Sequence, residues 1–263
     1  MFRSFEFTHA VCRRPSKSVV NGLRMSDMGD PDPELLQSQH QTYVEALRSA
    51  GLEVTLLNPD EAHPDSMFVE DAALVLDGIC FLLRPGAASR RDEAAKLATD
   101  AKDAFQSIVS PEIDGFIDGG DILCDEETVY VGLSARTDRA GAGSLELYVR
   151  DLGYRLQIAE TPKDVLHLKT DSSLLDQETV LSTNRLAASG IWESKRVLIA
   201  PEDEPQGANV IRVNDRVIIS ESAPKTADML DAAGFTVHPV PNSEAEKIDG
   251  GVSCQSLRYR QVT

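Results

Sequence analysis

One cysteine in the sequence stands in a setting where it could do chemistry. Cys254 follows two glycines and a serine, and it precedes Leu257 and Tyr259, which have strand spacing. Gly250 and Gly251 allow the backbone a close approach or a positive φ, so the turn could present the thiol to a ligand. A buried structural cysteine is the alternative, because free cysteines are among the most buried residues.

A histidine and several carboxylates recur at similar positions, at the starts of predicted β-hairpins. They are His167, Glu70 and Asp71, and the Asp-Gly-Gly-Asp segment at 118–121. A thiol with a pKa of ~8.5 needs a proton acceptor or a nearby cation to attack at neutral pH, and a histidine can exchange that proton. Carboxylates would raise the thiol pKa, so this site requires a cationic substrate that the acids bind. A guanidinium fits, because it is planar and donates paired hydrogen bonds to carboxylates.

Each of these residues also has a purely structural interpretation. His167 could be an ordinary satisfied or exposed histidine, Asp121 and Asp171 could cap their hairpins, and Arg136 could be half of a surface ion pair. The catalytic interpretation gains weight because chemically matched groups coincide at one phase of a repeat.

The repeat itself is a hairpin. Segments 71–83, 121–133 and 171–183 each read as strand, turn and strand, and their first aspartates lie 50 residues apart, twice. The Asp77-Gly78 pair is a strong hairpin-turn signal. A fourth copy covers 209–220, with Asn214-Asp215 at its turn.

Helices that end in glycine separate the hairpins. The pattern predicts helices at 33–50, 145–152 and 226–233, and each is followed by a glycine and then a strand. Asp32 is a candidate N-cap for the first helix. A further helix is predicted from 92 to 106, with Ser89 and Asp92 spaced as in a capping box.

The unit is therefore hairpin, helix and strand, and five units fit the length. One unit must combine the two termini, residues 252–259 with 5–11. Repeats that close a ring place a site on its axis. No linker is evident, so we expect one α/β domain over 1–263. The irregular segment 16–32 is predicted to be a mobile lid, because long irregular loops are often functional.

The composition of the chain indicates which classes of partner and which cell compartment to expect. The formal net charge of −17 repels nucleic acid and attracts small cations, although a solvated acidic surface accounts for most of it. No apolar run reaches about 18 residues, and the N-terminus does not resemble a signal peptide. The four cysteines lack C-x-x-C spacing, which argues against zinc or disulfide frameworks and suits a reducing cytoplasm.

Five ordered motifs resemble one known family. They are Phe-Val-Glu-Asp at 68–71, Asp-Gly-Gly-Asp at 118–121, Gly-Leu-Ser-Ala-Arg-Thr at 132–137, Leu-His-Leu-Lys at 166–169 and Gly-Gly-Val-Ser-Cys at 250–254. Together they are similar to the dimethylarginine dimethylaminohydrolases (dimethylargininases) of the guanidino-modifying pentein superfamily. The resemblance implies a five-bladed pseudosymmetric α/β propeller of ββαβ repeats.

The resemblance also implies roles. Cys254 matches the nucleophile, His167 the general acid/base, and Asp118 a carboxylate that orients the histidine or holds the guanidinium. The positions that match substrate-binding residues are Leu23, Asp65, Glu70, Asp71, Arg90 and Arg136. Arg91 is an alternative to Arg90 for contact with the substrate carboxylate.

The implied reaction is hydrolysis of Nω-methylated L-arginine to citrulline and a methylamine through a thiouronium on Cys254. The expected partner is a small cationic guanidino amino acid. A homodimer is possible. We expect no cofactor and no metal, and no binding to nucleic acid or to a membrane. Arginine deiminases, amidinotransferases and a non-catalytic propeller are the alternatives. Nucleotide binding is disfavoured because the segment 141–146 lacks the third glycine of the dinucleotide fingerprint and no P-loop occurs.

Overall fold

Five three-stranded sheets are present in the computed structural model, which describes residues 4–261. In each sheet the first strand of the unit pairs antiparallel with the middle strand, and the middle strand pairs parallel with the third. Helical segments connect the middle strand to the third, so every sheet is one ββαβ unit. The fold is the predicted five-bladed α/β propeller.

The strands are β1 His9–Arg13, β2 Glu53–Leu57, β3 Ala73–Leu76, β4 Ile79–Leu82, β5 Ser107–Val109, β6 Ile122–Cys124, β7 Thr128–Leu133, β8 Arg155–Glu160, β9 Ser172–Leu174, β10 Thr179–Ser182, β11 Arg196–Ile199, β12 Ile211–Val213, β13 Arg216–Ser220, β14 Thr236–Val240 and β15 Leu257–Tyr259. The sheets are β15-β1-β2, β3-β4-β5, β6-β7-β8, β9-β10-β11 and β12-β13-β14. The two ends of the chain meet in the first sheet, where His9 pairs with Tyr259, as predicted.

The α-helices are α1 Pro33–Ser49, α2 Glu93–Asp100, α3 Arg139–Ser144, α4 Glu146–Asp151, α5 Asn184–Ala187, α6 Pro224–Ala232 and α7 Ser243–Glu246. Five 3-10 turns precede the first strands of the blades, at Val69–Ala72, Gly119–Asp121, Leu168–Thr170, Pro205–Ala208 and Ser253–Gln255. Two more lie at Lys17–Asn21 and Ala88–Arg90.

The middle strands hold neighbouring blades together, because alternate residues of a strand face opposite sides. On β1, Ala10 and Cys12 pack against the fifth blade, whereas Val11 packs against the second. On β7, Val131 packs towards the second blade and Tyr130 towards the fourth. Five hydrophobic clusters of this kind join each blade to the next, so the ring closes.

The other three cysteines belong to this packing. Cys12 and Cys80 lie in two of the clusters between blades, and Cys124 packs against a third. Burial raises the pKa of each thiol to about 12, so all three remain protonated at neutral pH.

The predicted hairpin turns are confirmed. Asp77 and Gly78 have φ of 49° and 79°, the mirror-image geometry that suits the twist of a two-residue hairpin. Asn214 has φ of 55° at the corresponding turn between β12 and β13.

Two local predictions were wrong. The helix predicted at 92–106 ends at Asp100, and the chain then turns into β5. Its capping box does not form, because Ser89 lies inside the 3-10 turn Ala88–Arg90 and α2 begins only at Glu93. Asp92 takes the N-cap position instead, and its side chain accepts no capping hydrogen bond. The helix α3 was not predicted. Its sequence is rich in glycine, but Asp138 caps it by accepting the N–H of Gly141.

Among the described residues 4–261, no helix combines the length and the apolarity needed to cross a lipid bilayer.

The N-cap of α1 should contribute measurably to stability. Asp32 accepts hydrogen bonds from the N–H groups of Glu34 and Leu35. We expect Asp32→Ala to lower the free energy of unfolding by about 1 kcal/mol, measured by urea denaturation. Asp92→Ala removes a cap residue that makes no such bond, and we expect a change below about 0.5 kcal/mol. Equal losses in the two variants would contradict a capping role specific to Asp32.

Candidate active site

A cavity at the axis of the ring brings together most of the predicted site residues. Seven of them line it: Leu23, Asp65, Asp71, Arg90, Arg136, His167 and Cys254. They come from the first four blades and include residues on or beside the 3-10 turns that precede the first strands. The convergence of these turns explains why residues far apart in sequence share one cavity.

Cys254 lies on the turn Ser253–Gln255 with its side chain partly exposed. Burial, followed by the negative charges of Glu70 and Asp71, raises the pKa of its thiol to about 12. The glycines before it serve close packing, because a Cβ added at Gly250 would lie 2.3 Å from the ring of Phe68. The positive φ falls instead on Asp249, at 58°.

His167 is buried and is held by Asp118. Its Nε2 lies 3.0 Å from Asp118 Oδ2, and Asp118 Oδ1 accepts the N–H of Gly86 at 2.7 Å. Burial alone would lower the pKa of His167, but the carboxylates of Asp71, Asp121 and Asp118 outweigh it and raise the pKa to about 9. The imidazole is therefore protonated at neutral pH.

Gly120 allows His167 and Asp71 to approach each other. A Cβ added there would lie 2.8 Å from both His167 Nδ1 and Asp71 Oδ1. The N–H of Gly120 donates to Asp71 Oδ1 at 2.9 Å. The Asp-Gly-Gly-Asp motif therefore supplies a histidine partner, a gap without a side chain and a donor to the neighbouring carboxylate.

Asp71 is ionised through a buried ion pair with Arg90. Arg90 Nη1 donates to Asp71 Oδ2, and Nη2 donates to the carbonyl of Phe68 at 2.9 Å. Burial would raise the pKa of Asp71, but Arg90 and His167 lower it below its usual range. On its other side, Arg90 binds both carboxylate oxygens of Glu93.

The two adjacent arginines differ in position. Arg90 is buried and lines the cavity. Arg91 instead stacks its guanidinium on the ring of Phe116, 4.6 Å from the centroid, and does not line the cavity. Of the two, Arg90 is therefore the one that belongs to the site.

The cavity wall also carries a further carboxylate, Asp65, and a further guanidinium, Arg136. Asp65 is buried and accepts the N–H of Leu23 at 2.9 Å. Burial raises the pKa of Asp65 despite the opposing charge of Arg90. Arg136 lines the cavity and forms no ion pair within residues 4–261, so its charge is available to a ligand.

Glu70 lies outside the cavity, although it was predicted to bind substrate. Its Oε1 accepts from Lys169 Nζ at 2.8 Å and from Arg258 Nη2 at 3.1 Å, and its Oε2 accepts from Ser253 Oγ at 2.9 Å. Glu70 and Asp71 are adjacent on one 3-10 turn, so their side chains point in different directions. The placement of Glu70 supports anchoring of the cysteine turn rather than substrate contact.

Five lining residues were not among the predicted catalytic or substrate-binding residues: Phe68, Leu166, Ile248, Asp249 and Gly250. Four of them lie inside or beside the quoted motifs, so their proximity to a motif could have indicated a place in the site. No sequence feature indicated that Ile248 lines the cavity. Asp249 accepts the N–H of Met25 at 2.5 Å and so ties the segment 16–32 to the cavity wall.

Asp71, Asp118 and His167 also offer ligand atoms within 4.8 Å of one another, a spacing that could hold a metal ion. His167 already bonds Asp118, and Asp71 already accepts hydrogen bonds from Arg90 and Gly120. A protonated imidazole cannot ligate a metal, so this cluster is better suited to hydrogen bonding than to metal binding.

The raised pKa of His167 predicts a stability that depends on pH. Because the folded-state pKa of about 9 exceeds that of an unfolded histidine, protonation stabilises the fold below about pH 6.5. This contribution, roughly 3 kcal/mol, is lost as the pH rises through about 9. We expect NMR of the histidine ring to show titration near pH 9, with His167→Gln identifying the signal. Titration at or below pH 6.5 would contradict the charge balance described above.

Comparisons with known proteins agree with this geometry. A family model described as N,N dimethylarginine dimethylhydrolase, eukaryotic, matches residues 30–181. The chain is 36% identical over 254 residues to an N(G),N(G)-dimethylarginine dimethylaminohydrolase of Pseudomonas aeruginosa, covering 96% of this chain and 100% of that relative. A Streptomyces coelicolor protein of the same name is 36% identical over 256 residues, with 96% and 97% coverage.

Solved structures of related proteins are also similar to the structure of this chain. A cysteine-to-serine variant of the Pseudomonas aeruginosa enzyme complexed with citrulline has a TM-score of 0.92 at 35% identity, covering 97% of this chain and 100% of that chain. The N-terminal domain of a cyanobacterial arginine dihydrolase has a TM-score of 0.83 at 20% identity, with 96% and 97% coverage, and shares the fold. By sequence and by structure, this chain belongs to the dimethylarginine dimethylaminohydrolase family.

Proposed function

We propose that this protein hydrolyses Nω-methylated L-arginine to L-citrulline and dimethylamine or methylamine. The observation that carries the proposal is the convergence of Cys254, His167 and Asp71 on one cavity. Family membership supports it, as does the citrulline complex of a relative. A histidine-to-glycine variant in the family forms an adduct with S-methyl-L-thiocitrulline, at 35% identity and a TM-score of 0.91.

The electrostatics favour a cationic substrate. Burial, followed by the charges of Glu70 and Asp71, raises the pKa of the Cys254 thiol and keeps it protonated, and carboxylates keep the His167 imidazole charged in the free protein. A bound guanidinium would offset the negative charge near the thiol and lower its pKa, because an opposite charge favours the ionised form. Asp71 is the ionised carboxylate placed to hold that guanidinium.

The proposed first step forms a covalent intermediate. Binding of the cation releases the thiol proton to solvent, and Sγ of Cys254 attacks the guanidinium carbon. The imidazolium of His167 gives its proton to the departing amine nitrogen, and the C–N bond breaks. A thiouronium on Cys254, a free amine and a neutral His167 remain.

The second step restores the enzyme. Neutral His167 takes a proton from water, and the hydroxide attacks the thiouronium carbon. The C–S bond then breaks, the ureido group of citrulline forms, and the thiol regains the second proton of that water. Asp118 holds the imidazole in place through both proton transfers. Cys254, His167, solvent and the attacking water account for every bond and every proton, so the proposed cycle includes no cofactor.

The amino-acid end of the substrate would lie beside Arg136 and Asp65. Arg136 has a free charge for the α-carboxylate, and Asp65 with the Leu23 backbone lies where an α-ammonium group could bind. Arg90 has five N–H donors, and only one N–H on Nη1 is left after its bonds to Glu93, Asp71 and Phe68. Its direct share in carboxylate binding is therefore small.

The segment 16–32 is proposed to cover the bound substrate. Beyond the short turn Lys17–Asn21 it has no regular structure, and Met25 and Met28 are exposed. Bonds from Leu23 and Met25 to Asp65 and Asp249 fasten it beside the cavity. The cytoplasmic location, the single-domain organisation and a homodimer remain predictions from the sequence.

The experiment that tests the function is citrulline release from asymmetric dimethylarginine, monomethylarginine and arginine in parallel. We expect turnover of the methylated forms. Cys254→Ser should abolish turnover and retain substrate binding, because only the nucleophile is lost. Cys124→Ser is the matched control, since Cys124 is also partly buried but does not line the cavity.

Release from arginine alone would make this protein a deiminase. Full turnover in Cys254→Ser would remove Cys254 from the mechanism.

A further inference from the structure

Glu93 is a buried carboxylate next to the site that does not line the cavity. It is the first residue of α2 and is 4% exposed. Arg90 Nε donates to both of its oxygens at 3.1 Å, and Arg90 Nη2 donates to Oε2 at 2.7 Å. Burial raises the pKa of Glu93, and the Arg90 charge opposes that rise. Both oxygens act as acceptors, which is the arrangement of an ionised carboxylate that binds a guanidinium edge-on.

Arg90 links Glu93 to the cavity. Its Nη1 binds Asp71 Oδ2, and its Nη2 also binds the carbonyl of Phe68. The arginine is thus held by hydrogen bonds on Nε, Nη1 and Nη2, and the buried side chains of Glu93, Arg90 and Asp71 connect α2 to the cavity wall. The position of Glu93 at a helix N-terminus favours its negative charge.

Glu93 sets the net charge of this group of three residues. Asp71 and Arg90 alone would have no net charge, and the other charged side chains of the cavity wall, Asp65, Asp249, Arg136 and His167, are the same with or without Glu93. With Glu93 ionised, the three residues carry one net negative charge. Asp71 and Arg90 line the cavity and Glu93 does not, so the charge of Glu93 acts on the cavity from behind these two residues.

We propose that Glu93 is a positioning residue that fixes Arg90 against Asp71 and supplies a negative charge that favours a cationic guanidinium over a neutral ureido group. This inference rests on the proposed function. Under it, Glu93 favours release of the product, because citrulline is neutral and gains nothing from that charge.

The test uses two ligands of similar shape that differ in charge, monomethylarginine and citrulline. Their dissociation constants are measured by calorimetry in the Cys254→Ser background, with and without Glu93→Gln. We expect the constant for monomethylarginine to rise roughly tenfold, the scale of one buried unit charge at an effective dielectric constant of about 20. The constant for citrulline should change less than about twofold.

The control is Glu204→Gln. Glu204 is also a buried glutamate, but it accepts bonds from Lys225 and Thr226 in the fifth blade and does not line the cavity. We expect both dissociation constants to stay unchanged in this variant. Equal weakening of both ligands by Glu93→Gln would indicate a merely structural role and would overturn the inference.

A second variant covers the case in which Glu93→Gln does not fold. Glu93→Asp keeps the charge on a shorter side chain, and we expect binding of monomethylarginine within about threefold of the parent. A tenfold loss in Glu93→Asp would overturn the role of charge. If the parent binds methylarginine and releases citrulline but Glu93→Gln leaves binding unchanged, only this inference fails. If the parent does neither, the proposed function fails.

Discussion

The hydrogen bond between His167 Nε2 and Asp118 Oδ2 joins the third blade to the fourth at the axis of the ring. Two further carboxylates, Asp71 and Asp121, act on the same imidazole and hold its pKa near 9. The charge of Asp71, with that of Glu70, also opposes ionisation of Cys254, whose pKa burial and these charges raise to about 12. The site of the free protein therefore holds a protonated thiol and a protonated imidazole, and under the proposed mechanism a cationic substrate compensates the acids and activates the thiol.

The ring makes that arrangement rigid. The turns before the first strands bind one another from blade to blade: Asp71 accepts the N–H of Gly120, Asp121 that of Leu168, and Asn209 that of Ser253. Behind them, each middle strand packs alternate residues into two neighbouring cores. A side chain at the axis is thus fixed by two blades, as the reacting geometry of a preorganised site requires.

Much of this architecture follows from local sequence signals. Hairpin turns such as Asp77-Gly78, helices that end before a glycine, and closure of the first sheet by both termini all depend on short-range rules and repeat phase. The helix predicted at 92–106 is too long. The composition of these residues is typical of a helix, but pairing of β5 with β4 requires the chain to turn after Asp100.

The roles of adjacent residues with the same charge could not be predicted from the sequence. Glu70 and Asp71 are indistinguishable by charge, yet one anchors the cysteine turn and the other lines the cavity. The direction of a side chain on a 3-10 turn depends on packing from other blades, which repeat spacing does not specify. Glu93 was missed for a related reason: its partner Arg90 is close in sequence, but the role of the pair depends on Asp71.

Cys254 is a thiol in the free protein, and under the proposed mechanism it becomes a nucleophile only with a cationic substrate in place. The direct measurement is the pH dependence of Cys254 alkylation by neutral iodoacetamide in the free protein, compared with that of citrulline formation. We predict that alkylation still rises beyond pH 9 without a plateau, because the thiol pKa is raised to about 12, whereas turnover is already substantial at neutral pH. A plateau in alkylation at or below about pH 7 would show a preformed thiolate and would contradict activation by the substrate.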